Sequence, residues 1–387
     1  GHVLDSEVGV QAVNDTTLKI TLANPKPYFL DMLAHHTYMP VPVHAIEKHG
    51  ERWTDPVNMV VSGPFKLKER YVNDKIVIEK NDKYYNAGNV EIDEVVFYTI
   101  SNSITSYRMY ENDELDALTT PTIPPNLIKE IRLRNDYYTS AVNGLYYFSF
   151  NTTVKPLDNP KVREALTLAI DRETLTEKVI ENGSIPTRRI SPNFKNYSYG
   201  KELTLFNPQR AKQLLAEAGF PDGKDFPVLK YKTSKRDGPG ITAEFLQEQF
   251  KKILNIDIDI ETEEWTTFLT SRKLGNYQMS HMGWAGDYSD PLTFLESLFT
   301  TEYHTFGAYG YSNKEYDSLI KKSDFEQDPV KRQDILRKAE EIIIEIDFPV
   351  APIYIYAGNY LFNNDKWTGW SPNILERFDF SELRRIK

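Results

Sequence analysis

Asp287 is the side chain in this sequence best placed to receive a cation. It lies in Gly283-Trp284-Ala285-Gly286-Asp287-Tyr288-Ser289-Asp290-Pro291, between the aromatic residues Trp284 and Tyr288. One carboxylate between two rings suits a small cation, such as a free ammonium. Gly283 and Gly286 let the backbone approach a ligand closely. The bland alternative is a loop aspartate that caps the helix beginning near Pro291. Asp290 is better placed for that cap, because Asp-Pro sets the proline at the first helical position. Asp287 is then left for other work.

The elements around the loop read clearly. Tyr277 to Gly283 alternates as a strand, and Leu292 to Phe299 reads as a helix. Open α/β sheets place ligands in loops at strand ends. Upstream, Asn159-Pro160 and Asn207-Pro208 each supply an N-cap followed by proline, with Gly219 closing the second helix. Asp171 can cap a further helix that Gly183 would stop. A helix over residues 241–254 leads into a strand at 256–261, and a helix over 265–273 leads into the strand before the loop. Helices near 313–323 and 329–346 precede a strand at 350–356. Repeated βα units point to an α/β lobe with a mainly parallel sheet. Nearer the start, a hairpin turns at Asn14-Asp15 and a helix is expected over residues 28–35. The part from 62 to 150 is strand-rich, with a helix over 105–111.

Composition narrows the function classes. The 387 residues are 40% hydrophobic and 26% charged, as in a soluble globular protein. A net charge of −10 argues against a nucleic-acid binder. The absence of cysteine excludes disulfides, zinc-thiolate sites and a cysteine nucleophile. No Gly-x-Ser-x-Gly elbow, P-loop or dinucleotide fingerprint is present, so an enzyme finds no support. His35-His36 is an adjacent pair, a poor spacing for a metal. Neither cofactor nor metal is expected.

Five stretches together resemble a known family. They are the Asp287 loop; Ser62-Gly63-Pro64-Phe65-Lys66-Leu67 with Val77-Ile78-Glu79-Lys80-Asn81-Asp82-Lys83-Tyr84-Tyr85; Glu114-Leu115-Asp116-Ala117; Pro160-Lys161-Val162-Arg163-Glu164-Ala165-Leu166 with Ala169-Ile170-Asp171-Arg172; and Ala211 to Gly219. Taken in chain order they resemble the oligopeptide-binding proteins of bacterial ABC importers, the extracellular solute-binding proteins of family 5. The resemblance implies an α/β, periplasmic-binding-protein-like (type II) fold, two-lobed, with mixed or parallel sheets and a hinge. It implies residues 1–61 as a remnant of the small second domain, 62–150 as the central segment of the first lobe, 151–356 as the ligand-binding lobe and 357–387 as the return to the first lobe. A fragment or processed form is expected, lacking the signal sequence, the first segment of the main lobe and much of the small domain.

The resemblance also implies a monomeric substrate-binding component, exported to the periplasm or the outer face of the cytoplasmic membrane. It would take up a short peptide and pass it to membrane permease subunits. Asp287 would pair with the peptide's ammonium, with Gly283, Trp284, Ala285 and Tyr288 lining the same loop. Trp265 and Arg272 resemble pocket residues, while Tyr146 and Tyr147 match an aromatic segment at the lobe crossing, of which one faces the cleft. His281 stands where relatives often carry a basic residue. Lys235 or Arg236 would replace a histidine that some members use for a peptide carboxylate. A murein-peptide, dipeptide or other solute binder is the alternative on this scaffold, and a chaperone-like, protein-contacting lipoprotein is the alternative outside it.

Overall fold

The computed structural model describes residues 8–235, 240–302, 307–376 and 378–386. The chain forms two compact units, one of residues 1–38, 144–175 and 186–354, the other of 39–143, 176–185 and 355–387.

The first unit holds the loop. Its sheet runs in the order Ile258–Glu263, Leu229–Ser234, Met279–Ala285, then the unit's parts of Tyr137–Phe150 and Val350–Phe362. Ile258–Glu263 and Leu229–Ser234 pair in parallel, and Met279 and Ser280 continue that sense against Tyr231 and Lys232. On its other side the same strand is antiparallel to residues 144–150, with His281 opposite Phe148 and Gly283 opposite Tyr146. The sheet is therefore mixed, with an antiparallel seam beside the strand that carries the loop. Alternation of apolar residues looks the same in either sense of pairing, so this seam had no signature of its own.

Three helices of this unit open in one way. Asn159, Asn207 and Asp328 each accept backbone N–H groups of the first turn, and a proline follows each of them. Proline there loses no intrahelical bond and presets φ. The helices Ile241–Leu254, Trp265–Lys273 and Leu292–Phe299 end where the sequence patterns end. Elsewhere the turns change pitch. The helix expected to run to Gly183 is α-helical only over Arg172–Thr174 and continues as a π-helix over Leu175–Ile180. The one expected over 329–346 is α-helical over Pro329–Glu341 and π-helical over Ile342–Asp347. Arg172 is wholly buried, and its guanidinium donates to the carbonyls of Pro352, Thr167, Ile170 and Leu205 at 2.7–3.1 Å. Four carbonyls take the place of water around that charge, so a helix start is tied to the sheet.

The second unit has a three-stranded antiparallel sheet of Phe65–Arg70, Lys75–Lys80 and Glu94–Tyr98. Ala117–Thr119 pairs with residues 360–362, and one core gathers Tyr110, Leu118, Ile123, Ile128, Ile131 and Leu361. A second core around Phe362 and Leu383 is largely aromatic, with Trp370 stacked on Phe378 at 4.9 Å.

The unit bounds differ from those read in the sequence. Residues 8–38 group with the first unit because Lys26 and Tyr28 pair with Asp324. Residues 176–185 group with the second, where Glu181 meets Lys129 at 2.8 Å. Gly183 there adopts φ +84°, and a Cβ would meet the Thr139 hydroxyl at 3.0 Å, so both conformation and space require glycine.

Asp136 sits at the edge of the first of these cores. Arg134 donates to its two oxygens at 2.8 Å each, and the Tyr110 hydroxyl donates at 2.9 Å. These bonds, Arg134's first, hold the carboxyl below the usual aspartate range. A lowered folded pKa stabilises above the unfolded value and ceases to as pH falls through the folded one. Asp136→Asn should therefore lower the urea midpoint at about pH 7, and the gap to the parent should narrow towards about pH 3. A gap that stays constant with pH would show that Asp136 contributes nothing through its charge.

Candidate functional site

The loop begins where the Met279–Ala285 strand leaves the sheet and ends at the Leu292–Phe299 helix, most of which is buried. Two aspartates on it meet opposite fates. Asp290 is 8% exposed, and Arg332 donates to its oxygens at 2.7 and 2.8 Å. Asp290 also accepts the Leu292 N–H at 3.1 Å, but the helix starts one residue later than the sequence reading has it, with Pro291 as the cap and the aspartate just outside it. Asp287 is held through its backbone, whose N–H donates to Thr293 Oγ1 at 3.0 Å. Its carboxylate is 56% exposed. The nearest basic group to it in the described structure is the His35 ring, with Nε2 3.9 Å from Oδ1.

Tyr288 anchors the loop from the side. Its ring stacks on Tyr28 with centroids 5.0 Å apart and planes 8° from parallel. The Arg332 guanidinium lies 5.3 Å from the Tyr28 centroid, so one arginine serves both Asp290 and the stack. Tyr28 donates to Asp324 at 3.2 Å, and Lys26 pairs with the same carboxylate. Burial raises both phenols well above the ordinary tyrosine value, so both remain donors at any physiological pH. Burial also raises the carboxyl of nearby Glu296, with Asp324 adding to the effect.

The other expected residues distribute behind and beside this loop. Trp284, opposite Leu145 in the strand register, is half-buried, Gly283 lies opposite Tyr146, and Ala285, opposite Gly144, is exposed. Trp265 is half-buried at the start of its helix, its ring 5.9 Å from Phe268. Tyr146 is nearly buried, stacked between His281 at 5.5 Å and Tyr354 at 4.8 Å. Tyr147 is fully buried too, and as strand neighbours the two side chains point to opposite faces of the sheet. His281 is 2% exposed, within reach of the Tyr231 hydroxyl at 3.2 Å and stacked on Phe268. Arg272, also 2% exposed, donates to Ser280, the His281 carbonyl, Ser149 and the Gly307 carbonyl. In this structure His281, Arg272 and Tyr147 support the strand from within rather than facing outward. Lys235 pairs with Glu264 at 2.8 Å, and Arg236 lies outside the described residues.

Three contributors escaped the sequence reading: Tyr28, Arg332 and His35. Tyr28 and His35 meet loop residues hundreds of positions away and Arg332 meets Asp290 across 42, so no local spacing marks them. Among the described residues, no group of three His, Cys, Asp or Glu side chains could hold a metal ion. No helix there is long and apolar enough to cross a membrane.

Arg332 is thus the keystone of the loop. Arg332→Met should leave Asp290 buried without its partner and destabilise the protein by about 3–5 kcal/mol. Guanidinium-chloride unfolding measures this, and a loss below about 1 kcal/mol would show the pair to be replaceable by water.

Comparison with known proteins gives consistent results. The family model for "Bacterial extracellular solute-binding proteins, family 5 Middle" matches residues 3–305. The oligopeptide-binding protein OppA of Bacillus subtilis is 32% identical over 92% of this chain and 67% of its own length. Among solved structures, a periplasmic oligopeptide-binding protein, OppAIV, from Borrelia burgdorferi is 55% identical with a TM-score of 0.85, covering 99% of this chain and 76% of that one. OppA of Haemophilus influenzae, solved in complex with the peptide RPPGFSPFR, is 28% identical with a TM-score of 0.77, covering 98% and 75%. The α/β architecture described above is that of these periplasmic binding proteins, the type II fold.

Proposed function

The chain belongs to the bacterial extracellular solute-binding proteins of family 5, and from that premise we propose that it captures short peptides for a bacterial ABC importer. It holds the peptide by its backbone and its free amino terminus and hands it to permease subunits in the membrane. It works outside the cytoplasmic membrane, a placement supported by the periplasmic naming of its relatives. Binding, rather than bond-making, is the role of every member named in the comparisons.

The observation that carries this reading is the contrast within the loop. Asp290 is consumed by Arg332, whereas Asp287, three residues earlier, presents its carboxylate on a backbone that Thr293 and the Tyr28–Tyr288 stack hold in place. A fixed, exposed carboxylate is preorganised to take a primary ammonium, a recognised mode of peptide capture. Trp284 and Tyr288 stand on either side of it in the sequence of the loop. Side-chain tolerance follows if most affinity comes from the peptide's main chain and amine, the parts every peptide shares.

Calorimetric titration with tri-alanine and with N-acetyl-tri-alanine tests the proposal. The free peptide should bind and the acetylated one should bind about fivefold more weakly, because a partly exposed carboxylate loses its cation. Asp287→Asn should remove that discrimination. Equal binding of the two peptides by the parent protein would overturn the amine clamp, and binding of neither would overturn peptide capture by this chain.

A further inference from the structure

Resting on the reading of Asp287 as the receiver of a ligand ammonium, we propose that His35 is a specificity-determining residue of the same site. When its ring is doubly protonated it occupies the carboxylate in the ligand's place. The ring is held where this requires it. The His35 N–H donates to the Met32 carbonyl at 2.9 Å, and the His35 carbonyl accepts the Tyr38 N–H at 3.0 Å. Nδ1 meets the Thr37 backbone N–H at 3.4 Å and the Thr37 hydroxyl at 2.8 Å. A backbone N–H can only donate, so Nδ1 of the neutral ring is the acceptor. The single ring proton then sits on Nε2, the atom that faces Asp287.

At 3.9 Å, Nε2 is too far from Asp287 Oδ1 for a hydrogen bond, yet within ion-pair range. A neutral ring therefore leaves the carboxylate open. A second proton goes to Nδ1, where the Thr37 hydroxyl can reverse its role and accept. Charging the ring forfeits the longer Thr37 N–H bond to Nδ1, at 3.4 Å, and keeps the shorter hydroxyl one; a cation then stands beside Asp287. The titratable neighbours brought to the ring are Asp287 from the loop and His36, whose ring centroid is 4.1 Å away. Charge on His36 would oppose charge on His35. Asp290 adds little attraction, because Arg332 already neutralises it. The segment that carries His35 is fixed against the loop by the Tyr28–Tyr288 stack, so the ring has little room to withdraw.

The sign of the effect is diagnostic. A peptide's own amine gains charge as pH falls below about 8, so an isolated Asp287 would bind it no more weakly in acid. Competition from His35 should weaken tri-alanine binding about fivefold between about pH 7.5 and about pH 5.5, the size expected of a partly exposed pair.

Two measurements on the parent protein, His35→Gln and His36→Gln decide the matter. The first needs no peptide: the Asp287 carboxyl carbon resonance, assigned by its loss in Asp287→Asn, is followed over that pH range. It should move with pH in the parent and in His36→Gln, and stay still in His35→Gln. The second is the affinity for tri-alanine, whose pH dependence should disappear only in His35→Gln. An Asp287 resonance that titrates equally in His35→Gln overturns the proposal, as does an unchanged pH dependence of its peptide affinity. If no variant binds peptide, the functional reading fails, while the carboxyl resonance still decides whether His35 charges Asp287's surroundings.

Discussion

Burying a carboxylate and a guanidinium removes both from water, and this is tolerated only when each satisfies the other. Arg332 and Asp290 meet that condition with two short parallel bonds at side-chain exposures of about a tenth. Much of the site depends on the bargain. Asp290 accepts an N–H at the start of the Leu292–Phe299 helix, Arg332 backs the Tyr28 ring, and Tyr28 stacks on the residue next to Asp287. The exposed carboxylate is steady because the buried one is fully committed.

The loop thus divides labour between two chemically identical groups. A carboxylate that faces water can exchange its solvent shell for a ligand at modest cost, whereas one already locked to arginine cannot. Residues behind the strand follow the second pattern. Arg272 gives its donors to two serines and two carbonyls, and His281 lies among Tyr146, Tyr231 and Phe268. Polar side chains of this kind specify how the strand sits, and a fixed strand end aims the loop.

Much of this was legible in the sequence where the cause is local. Asn159-Pro160 and Asn207-Pro208 announced their helices because capping and proline geometry act within a few residues. The strand–loop–helix around Asp287 followed from alternation and from Asp290-Pro291, and the family motifs supplied the class. What remained hidden depends on partners distant in the chain. Nothing near His35 indicates that it stands beside Asp287, and nothing near Tyr28 indicates a ring waiting at 288. The antiparallel seam and the grouping of residues 8–38 with the first unit are of the same kind. Arg272 and His281 carry polar types that read as surface or ligand contacts, and only packing reveals that their donors and rings are turned inward.

The bond from Tyr28 to Asp324 spans 296 positions of sequence. Closing so long a loop carries an entropic cost before any contact rewards it, and contacts of this separation form late in folding. Helices such as Ile241–Leu254 can appear as soon as their own residues exist. The Asp287 loop cannot, because Tyr28 and Asp324, which help to steady it, lie 296 positions apart. In a chain made from its N-terminus, Tyr28 emerges early and waits for Asp324 and Arg332. The loop that carries Asp287 is consequently among the last parts to acquire its final form.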